Sequence, residues 1–353
     1  AHPANVLFER LREHVPQDKV VVAAHCGGRY ADIRQYFDEQ LGPLVEVASC
    51  WGVFEWLLWD AFDMGYRVGV MCNSDGHKGR PGAEGPGAGQ FGIYGGLTCI
   101  LAESLTRPAV FAALQQRRCY GTTGPRIDLD FTVDGHPMGS SIAAGGTSGG
   151  TPAGTVQVRA SARGTAPLES LLLYRGRELV HTEQPAAFDD VAGSRRVRLQ
   201  WGGARIRGRG RRATWDGQII VTGARIERAE TFAFDSPVDG IVEQREHELE
   251  IRSRTTGDID GVDLWLDHGG PIGLKMLSSF AMVVLHVDEA GRPVREPLGG
   301  LDLHARAGRY PAQPRELSLA LEARVEASGG QPLWIKVVQT DGHMAWSSPI
   351  YVD

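Results

Sequence analysis

From Thr155 to the C-terminus the chain is written mostly in alternation, and this limits its possible folds more than any other feature. The runs Thr155–Ala160, Leu171–Tyr174, Arg196–Trp201, Gln218–Val221, Glu248–Arg252, Met282–Val287, Leu317–Leu321 and Leu333–Gln339 follow period two between Gly- and Asp-containing turns. Successive side chains of a strand point to opposite faces, so each run offers one face to a core and one to water. With no convincing helix among them, these runs predict a β-sandwich.

The first third has a different rhythm. Short β-branched runs at Lys19–Ala24, Leu44–Ala48, Arg67–Cys72 and Leu97–Leu101 alternate with helix-period segments, as in βα units. Ile33, Tyr36, Phe37 and Leu41 fit one helical face, and Phe54, Leu57, Leu58, Ala61 and Phe62 fit another that ends at Met64-Gly65. A third helix is expected from the N-cap Thr106, with Pro108 in its first turn, to about Arg117. The run GSSIAAGGTSGGTPAG interrupts any packing pattern. Residues 1–138 therefore read as an α/β unit, 139–154 as a Gly/Ser-rich linker or loop, and 155–353 as a β-sandwich-like region.

Apolar residues make up 42% and charged residues 23%, ordinary globular values, and no apolar run approaches the roughly 18–20 residues of a membrane helix. The net charge of −6 gives no broad field to hold a nucleic-acid backbone. Arg205, Arg207, Arg209 and Arg211 alternate and would share a strand face, but no aromatic residues interleave to stack bases, so a solvated or carboxylate-paired face is expected. The five cysteines, Cys26, Cys50, Cys72, Cys99 and Cys119, are odd in number and lack CxxC spacing, which argues against a disulfide framework. Together with the absence of an export leader, they lead to the expectation of a cytoplasmic protein.

The strongest chemical signal is Cys72-Asn73-Ser74-Asp75-Gly76-His77, where an apolar strand stops at a carboxylate and an imidazole two residues apart. Ligands in α/β sheets gather at the carboxyl ends of parallel strands, and His25 stands in the same position after Lys19–Ala24. Glu46 lies inside the next strand, where an unpaired carboxylate would be costly. Asp-Gly is also a common turn dipeptide, and a lone strand-end histidine is often structural. Three strands delivering His, Glu and Asp/His together favour a divalent metal site for Zn²⁺, Mn²⁺ or Fe²⁺. The following Lys78-Gly79-Arg80-Pro81-Gly82 could clamp an oxyanion or belong to a surface loop.

These segments resemble the PHP (polymerase and histidinol phosphatase) superfamily of metallohydrolases, in the branch of PHP-like proteins that includes carbamate (carbaryl) hydrolases. The resemblance rests on Val22–Ile33, Pro43–Phe54, Gly65–Gly82, Thr106–Ile127 and Ala345–Val352. It implies an α/β fold, the C-terminal part of a distorted β/α barrel, followed by an all-β region. It also implies metal ligands at His25, Asp75 and His77, with Glu46 beside them as a catalytic-site residue. Arg29, Lys78 and Arg80 are chosen, from their positions near these ligands, to neutralise substrate charge.

The implied reaction is hydrolysis of a small-molecule phosphoester or carbamate-type ester by metal-activated water. The family's opening His-x-His motif, its next histidine and its bridging carboxylate would precede His25, where only 24 residues stand. The expectation is a half-barrel, inactive in isolation, whose N-terminal half is absent or comes from another chain. Two other readings stay open: a non-catalytic binding module whose β-sandwich recognises a saccharide or protein, and a nucleic-acid-processing PHP phosphoesterase. Exposed Trp201, Trp215 and Trp265 would favour the first, and an arginine stripe facing Asp75 the second. No membrane partner is expected, and nucleic acid is disfavoured.

Overall fold

The computed structural model describes residues 3–25, 32–76, 95–143, 154–208, 210–327 and 329–353. Among them are three α-helices, α1 (Ala4–His14), α2 (Glu55–Asp63) and α3 (Arg107–Gln115), and strands gathered into six sheets. The fold is β-rich and sandwich-like.

One sandwich pairs two five-stranded sheets. The first is ordered Ile226–Phe232, Ile259–Leu266, Arg196–Ala204, Leu301–Arg309 and Val294–Pro297; the second runs Gly240–Gln244, Glu248–Arg252, Gly217–Thr222, Ile272–Ser278 and Met282–Val287. Their inward positions, including Leu199, Trp201, Ile219, Leu249, Val262 and Leu264, form one fully buried apolar cluster. Each such side chain contributes roughly 1.5–3 kcal/mol of transfer free energy, before the opposing entropy of ordering it.

The other sandwich sets an eight-stranded sheet against a four-stranded one. The four-stranded sheet is Ser318–Glu326, Thr155–Arg163, Asp128–Val133 and His136–Pro137. Phe131, Val158, Leu171, Leu173, Leu333 and Ile335 fill the space between the sheets. All eight alternating runs lie in or overlap strands.

A small sheet packs on the outer face of the eight-stranded one. Leu44–Ser49 runs parallel to Ala23–Ala24 on one side and to Gly69–Cys72 on the other, with α2 in the crossover from Leu44–Ser49 to Gly69–Cys72. α2 buries Trp56, Leu57, Leu58 and Ala61, and the cluster they join includes Trp334 and Trp346 from the eight-stranded sheet. Pro332–Gln339 is thus covered on both faces, the reason its sequence is almost continuously apolar.

The expected part of a β/α barrel is not there, and the reason lies at one edge. The outer N–H groups of Val68, Val70 and Cys72 are taken by hydroxyls: Tyr351 Oη at 2.7 Å, Ser348 Oγ at 2.9 Å and Thr98 Oγ1 at 3.0 Å. Tyr351 and Thr98 donate back to the carbonyls of Val68 and Cys72. Side chains satisfy the ladder where a barrel would place its next strand. Leu97–Ile100 instead pairs antiparallel with Cys119–Thr122 inside the eight-stranded sheet. Tyr351→Phe leaves a buried N–H and carbonyl at Val68 without their partner, and an equilibrium urea titration is expected to show a loss of about 1–3 kcal/mol.

Two local expectations also change. Residues 33–41 form turns rather than a helix, because the Asp38 carboxylate accepts the N–H groups of Gln40 and Leu41, both at 3.1 Å. Ile33 and Leu41 still reach the interior. Lys19–Ala24 shortens to Ala23–Ala24. The Phe54–Phe62 and Thr106 expectations match α2 and α3, and Thr106 Oγ1 accepts the Ala109 N–H as an N-cap. Among the described residues no helix is long and apolar enough to cross a membrane.

Candidate functional site

Register explains how three distant residues meet. Ala23 and Ala24 pair with Leu44 and Val45, which carries the next residue, His25, alongside Glu46. On the other side Glu46 pairs with Met71 and Ala48 with Cys72, so Asn73 and Asp75 emerge just beyond the same strand. The Glu46 side chain is buried, yet both of its oxygens are engaged: Oε2 with His25 Nδ1 at 2.6 Å and Oε1 with Asn73 Nδ2 at 2.8 Å. His25 Nε2 faces Asp75 Oδ2 at 3.5 Å. Asp75 adopts a left-handed backbone, φ 46°, which aspartate tolerates better than most residues, and its carbonyl accepts from Cys50 Sγ at 3.3 Å.

The bond to Glu46 raises the His25 pKa above its ordinary value, against the effect of burial, and the charges of Glu46 and Asp75 add to the rise. A carboxylate only accepts, so Nδ1 carries the proton toward Glu46, and Nε2 is the nitrogen left to face a ligand. Histidine ligands of metals are commonly oriented this way by a carboxylate on the other ring nitrogen. A cation roughly 2.0–2.2 Å from both His25 Nε2 and Asp75 Oδ2 at a near-tetrahedral angle suits the observed separation. These donors fit one side of a metal site. Among the described residues no group of three or more His, Cys, Asp or Glu side chains is arranged to hold a metal ion. His77, Arg29, Lys78 and Arg80 lie outside the described residues.

Asn73, which fixes Glu46, and Arg211 are site residues that sequence reasoning passed over. Asn73 had a signal, since it follows the same strand as Asp75. Arg211 lies at the end of the alternating arginine run, which is not the strand face expected: the strand ends at Ala204, and Gly208 and Gly210 turn the chain with φ of 75° and 85°. Arg207 pairs with Asp60 of α2 at 2.6 Å, and Arg211 is buried, its guanidinium over the Phe54 ring at 4.6 Å. From there its charge opposes protonation of His25.

Trp201 and Trp215 are fully buried, their indole N–H groups donating to Ser253 and Thr255, and Arg228 covers the Trp265 ring at 3.6 Å. No aromatic platform of the kind a saccharide module would need forms from these three. Cys72, Cys99 and Cys119 are free thiols, and burial pushes the Cys119 thiol up to about 12, so it is a packing residue rather than a nucleophile.

Comparison with known proteins adds family context without an activity. Residues 83–167 match the family described as "Protein of unknown function (DUF3604)", a stretch that holds α3 but none of His25, Glu46 and Asp75. The chain is 38% identical over 90 residues to an uncharacterized protein of Chlamydia pneumoniae, covering 26% of this chain and 14% of the relative. It is 31% identical over 114 residues to an uncharacterized protein of Chlamydia trachomatis, covering 30% of this chain and 18% of the relative. The matched region thus spans less than a fifth of the curated relatives' length. No solved structure matches the chain. What the chain shares with these proteins is sequence similarity over about a quarter to a third of its length.

Proposed function

We propose that the chain belongs to a metal-dependent hydrolase of the PHP type, acting on a phosphoester or carbamate-type ester at the strand ends that carry His25, Glu46 and Asp75. The observation that carries this reading is the Glu46–His25–Asp75 alignment, an imidazole held by a buried carboxylate on one nitrogen and facing a second carboxylate with the other. His25 and Asp75 would hold a divalent cation, Zn²⁺, Mn²⁺ or Fe²⁺, with His77 as the further ligand named by the resemblance. When bound, such a cation lowers the pKa of water and polarises an ester oxygen. Glu46 fixes the tautomer and ring orientation of His25, and Asn73 fixes Glu46. Arg211 contributes positive potential toward the site, as Arg29, Lys78 and Arg80 would at the substrate.

The test is metal binding before turnover. The purified chain is loaded with Zn²⁺ or Mn²⁺, desalted and analysed for metal, then assayed with 4-nitrophenyl phosphate and an aryl N-methylcarbamate. Metal retention is expected in the parent chain, lost in His25→Ala and Asp75→Ala and weakened about 10–100-fold in Glu46→Gln, as when an orienting partner of a ligand is removed. Equal retention by the parent chain and the His25 and Asp75 variants would sink the assignment.

A further inference from the structure

At the other end of the first sandwich, the strand Ile259–Leu266 opens with acids where its pattern calls for apolar residues. Positions 258, 260, 262 and 264 share one face; Val262 and Leu264 are fully buried, and Asp258 and Asp260 are 7% and 1% exposed. Each acid has one oxygen in use: Asp260 Oδ2 accepts from Ser253 Oγ at 2.7 Å, and Asp258 Oδ1 accepts from the Thr256 N–H. Asp258 Oδ2, Asp260 Oδ1 and Asp235 Oδ2 are buried with no hydrogen-bond partner among the described residues. The guanidinium of Arg254 pairs with Asp239 at 2.7 Å and acts on Asp235 only through its charge.

Buried acceptors without donors are costly. Burial and the neighbouring Asp258, Asp260 and Asp239 push Asp235 up to about 10, and burial pushes Asp258 up to about 7. Asp235 and Asp258 line a cavity of about 160 Å³ whose other walls include Val53, Phe234, Ile259 and Met344. Asp341 and His343 also border it, with the Asp341 carboxylate engaged by Gln339 and the His343 ring by Thr123.

We propose that this cavity binds a small organic cation through a primary ammonium group, which donates to the open oxygens of Asp235 and Asp258 while its hydrocarbon part lies against Phe234, Ile259 and Met344. A metal ion needs several donors gathered about one point, and no such group of three exists among the described residues. An ammonium group takes acceptors at the longer distance of about 2.8–3.0 Å from its nitrogen, and two carboxylate oxygens with water on the third N–H satisfy it. Apolar walls favour an alkyl chain over a hydrated ion. This site shares no ligand with the hydrolase site proposed above and stands or falls separately.

The experiment is calorimetric titration of the full chain with n-butylammonium chloride, above the value of about 7 for Asp258, in two buffers of different ionisation enthalpy. Saturable binding is expected, with a buffer-dependent heat because binding expels a proton from the acid cluster. Tetramethylammonium, which has the charge but no N–H, is expected not to bind. Asp235→Asn and Asp258→Asn keep the shape of the side chain and are expected to weaken butylammonium by about tenfold or more, the effect of losing one charge-assisted hydrogen bond. Asp235 Oδ2 has no hydrogen-bond partner among the described residues, so the Asp235 variant tests binding even if the Asp258 variant unfolds. Absence of saturable binding by the folded parent chain, equal binding by Asp235→Asn, or equal binding of tetramethylammonium would each overturn the proposal. Saturation by Ca²⁺ or Mg²⁺ in place of butylammonium, lost in Asp235→Asn, would overturn it in favour of a metal site.

Discussion

Replacing Asp263 by alanine is expected to cost about 3–5 kcal/mol, because it strips the counter-charge from a buried guanidinium. Asp263 takes both ends of the Arg198 fork, Nε and Nη2, each at 2.8 Å, and Arg196 Nη2 at 2.7 Å. Arg198 and Asp263 are both almost fully buried. Arg198 also lies over the Phe232 and Tyr310 rings, and its Nη1 donates to the carbonyl of Thr340 at 2.9 Å, which ties the first sandwich to the turn beyond Pro332–Gln339. Without Asp263 the charge keeps its burial, and the ion-pair partner it retains among the described residues is the more distant Glu169, at 3.7 Å. Replacing the pair together, Arg198→Met with Asp263→Leu, is expected to cost less than Asp263→Ala alone. Urea midpoints at neutral pH measure both, and a loss below about 1 kcal/mol for Asp263→Ala would show that the pair is not the connection described.

The same carboxylate gives a pH dependence with a definite sign. Burial acts to raise its pKa, but the bonds and charges of Arg198 and Arg196 bring it below the ordinary value. A depressed folded-state pKa adds stability that is complete above the unfolded value, about 3.9, and is lost as pH falls through the lower folded one. The parent chain should therefore lose stability on acidification below about pH 4 more steeply than Asp263→Ala does.

Gly257→Ala is the second large expected effect. An added Cβ would stand 1.8 Å from the carbonyl oxygen of Val53, and the backbone there has φ of 96°. Gly52 approaches from the other side, where a Cβ would stand 2.1 Å from the Thr256 carbonyl oxygen, and Val53 N–H donates to that same oxygen at 3.2 Å. Backbone meets backbone here, so no side chain can rotate away. Overpacking and backbone strain together are expected to cost roughly 2–5 kcal/mol. Thermal unfolding reads the total, and an alanine variant with an unchanged midpoint would contradict the contact.

The sequence was most legible where one face of a strand is wet. Glu248–Arg252 and Met282–Val287 alternate strictly, and both were located to the residue. Ile259–Leu266 and Leu301–Arg309 were missed: each lies in the interior of its sheet with a run of consecutive buried residues, so alternation is lost. The βα rhythm of the first third was real for Leu44–Ser49, α2 and Gly69–Cys72, but rhythm cannot tell an open sheet from a barrel. That difference was decided by Tyr351 and Ser348, about 280 residues downstream of the strand they cap. At the site, His25 and Asp75 were legible as strand-end residues and Glu46 as a carboxylate inside a strand, whereas Arg211 was not, because its ring partners are remote in sequence.

The hydroxyl seam along Gly69–Cys72 also gives the small sheet a direction of growth. With that side closed by side chains, the flank of Ala23–Ala24 away from Leu44–Ser49 is where no strand stands among the described residues. A strand from any source that extended this sheet by main-chain pairing would have to join there. It would arrive beside His25, so recruitment of another segment and completion of the site would be a single geometric event.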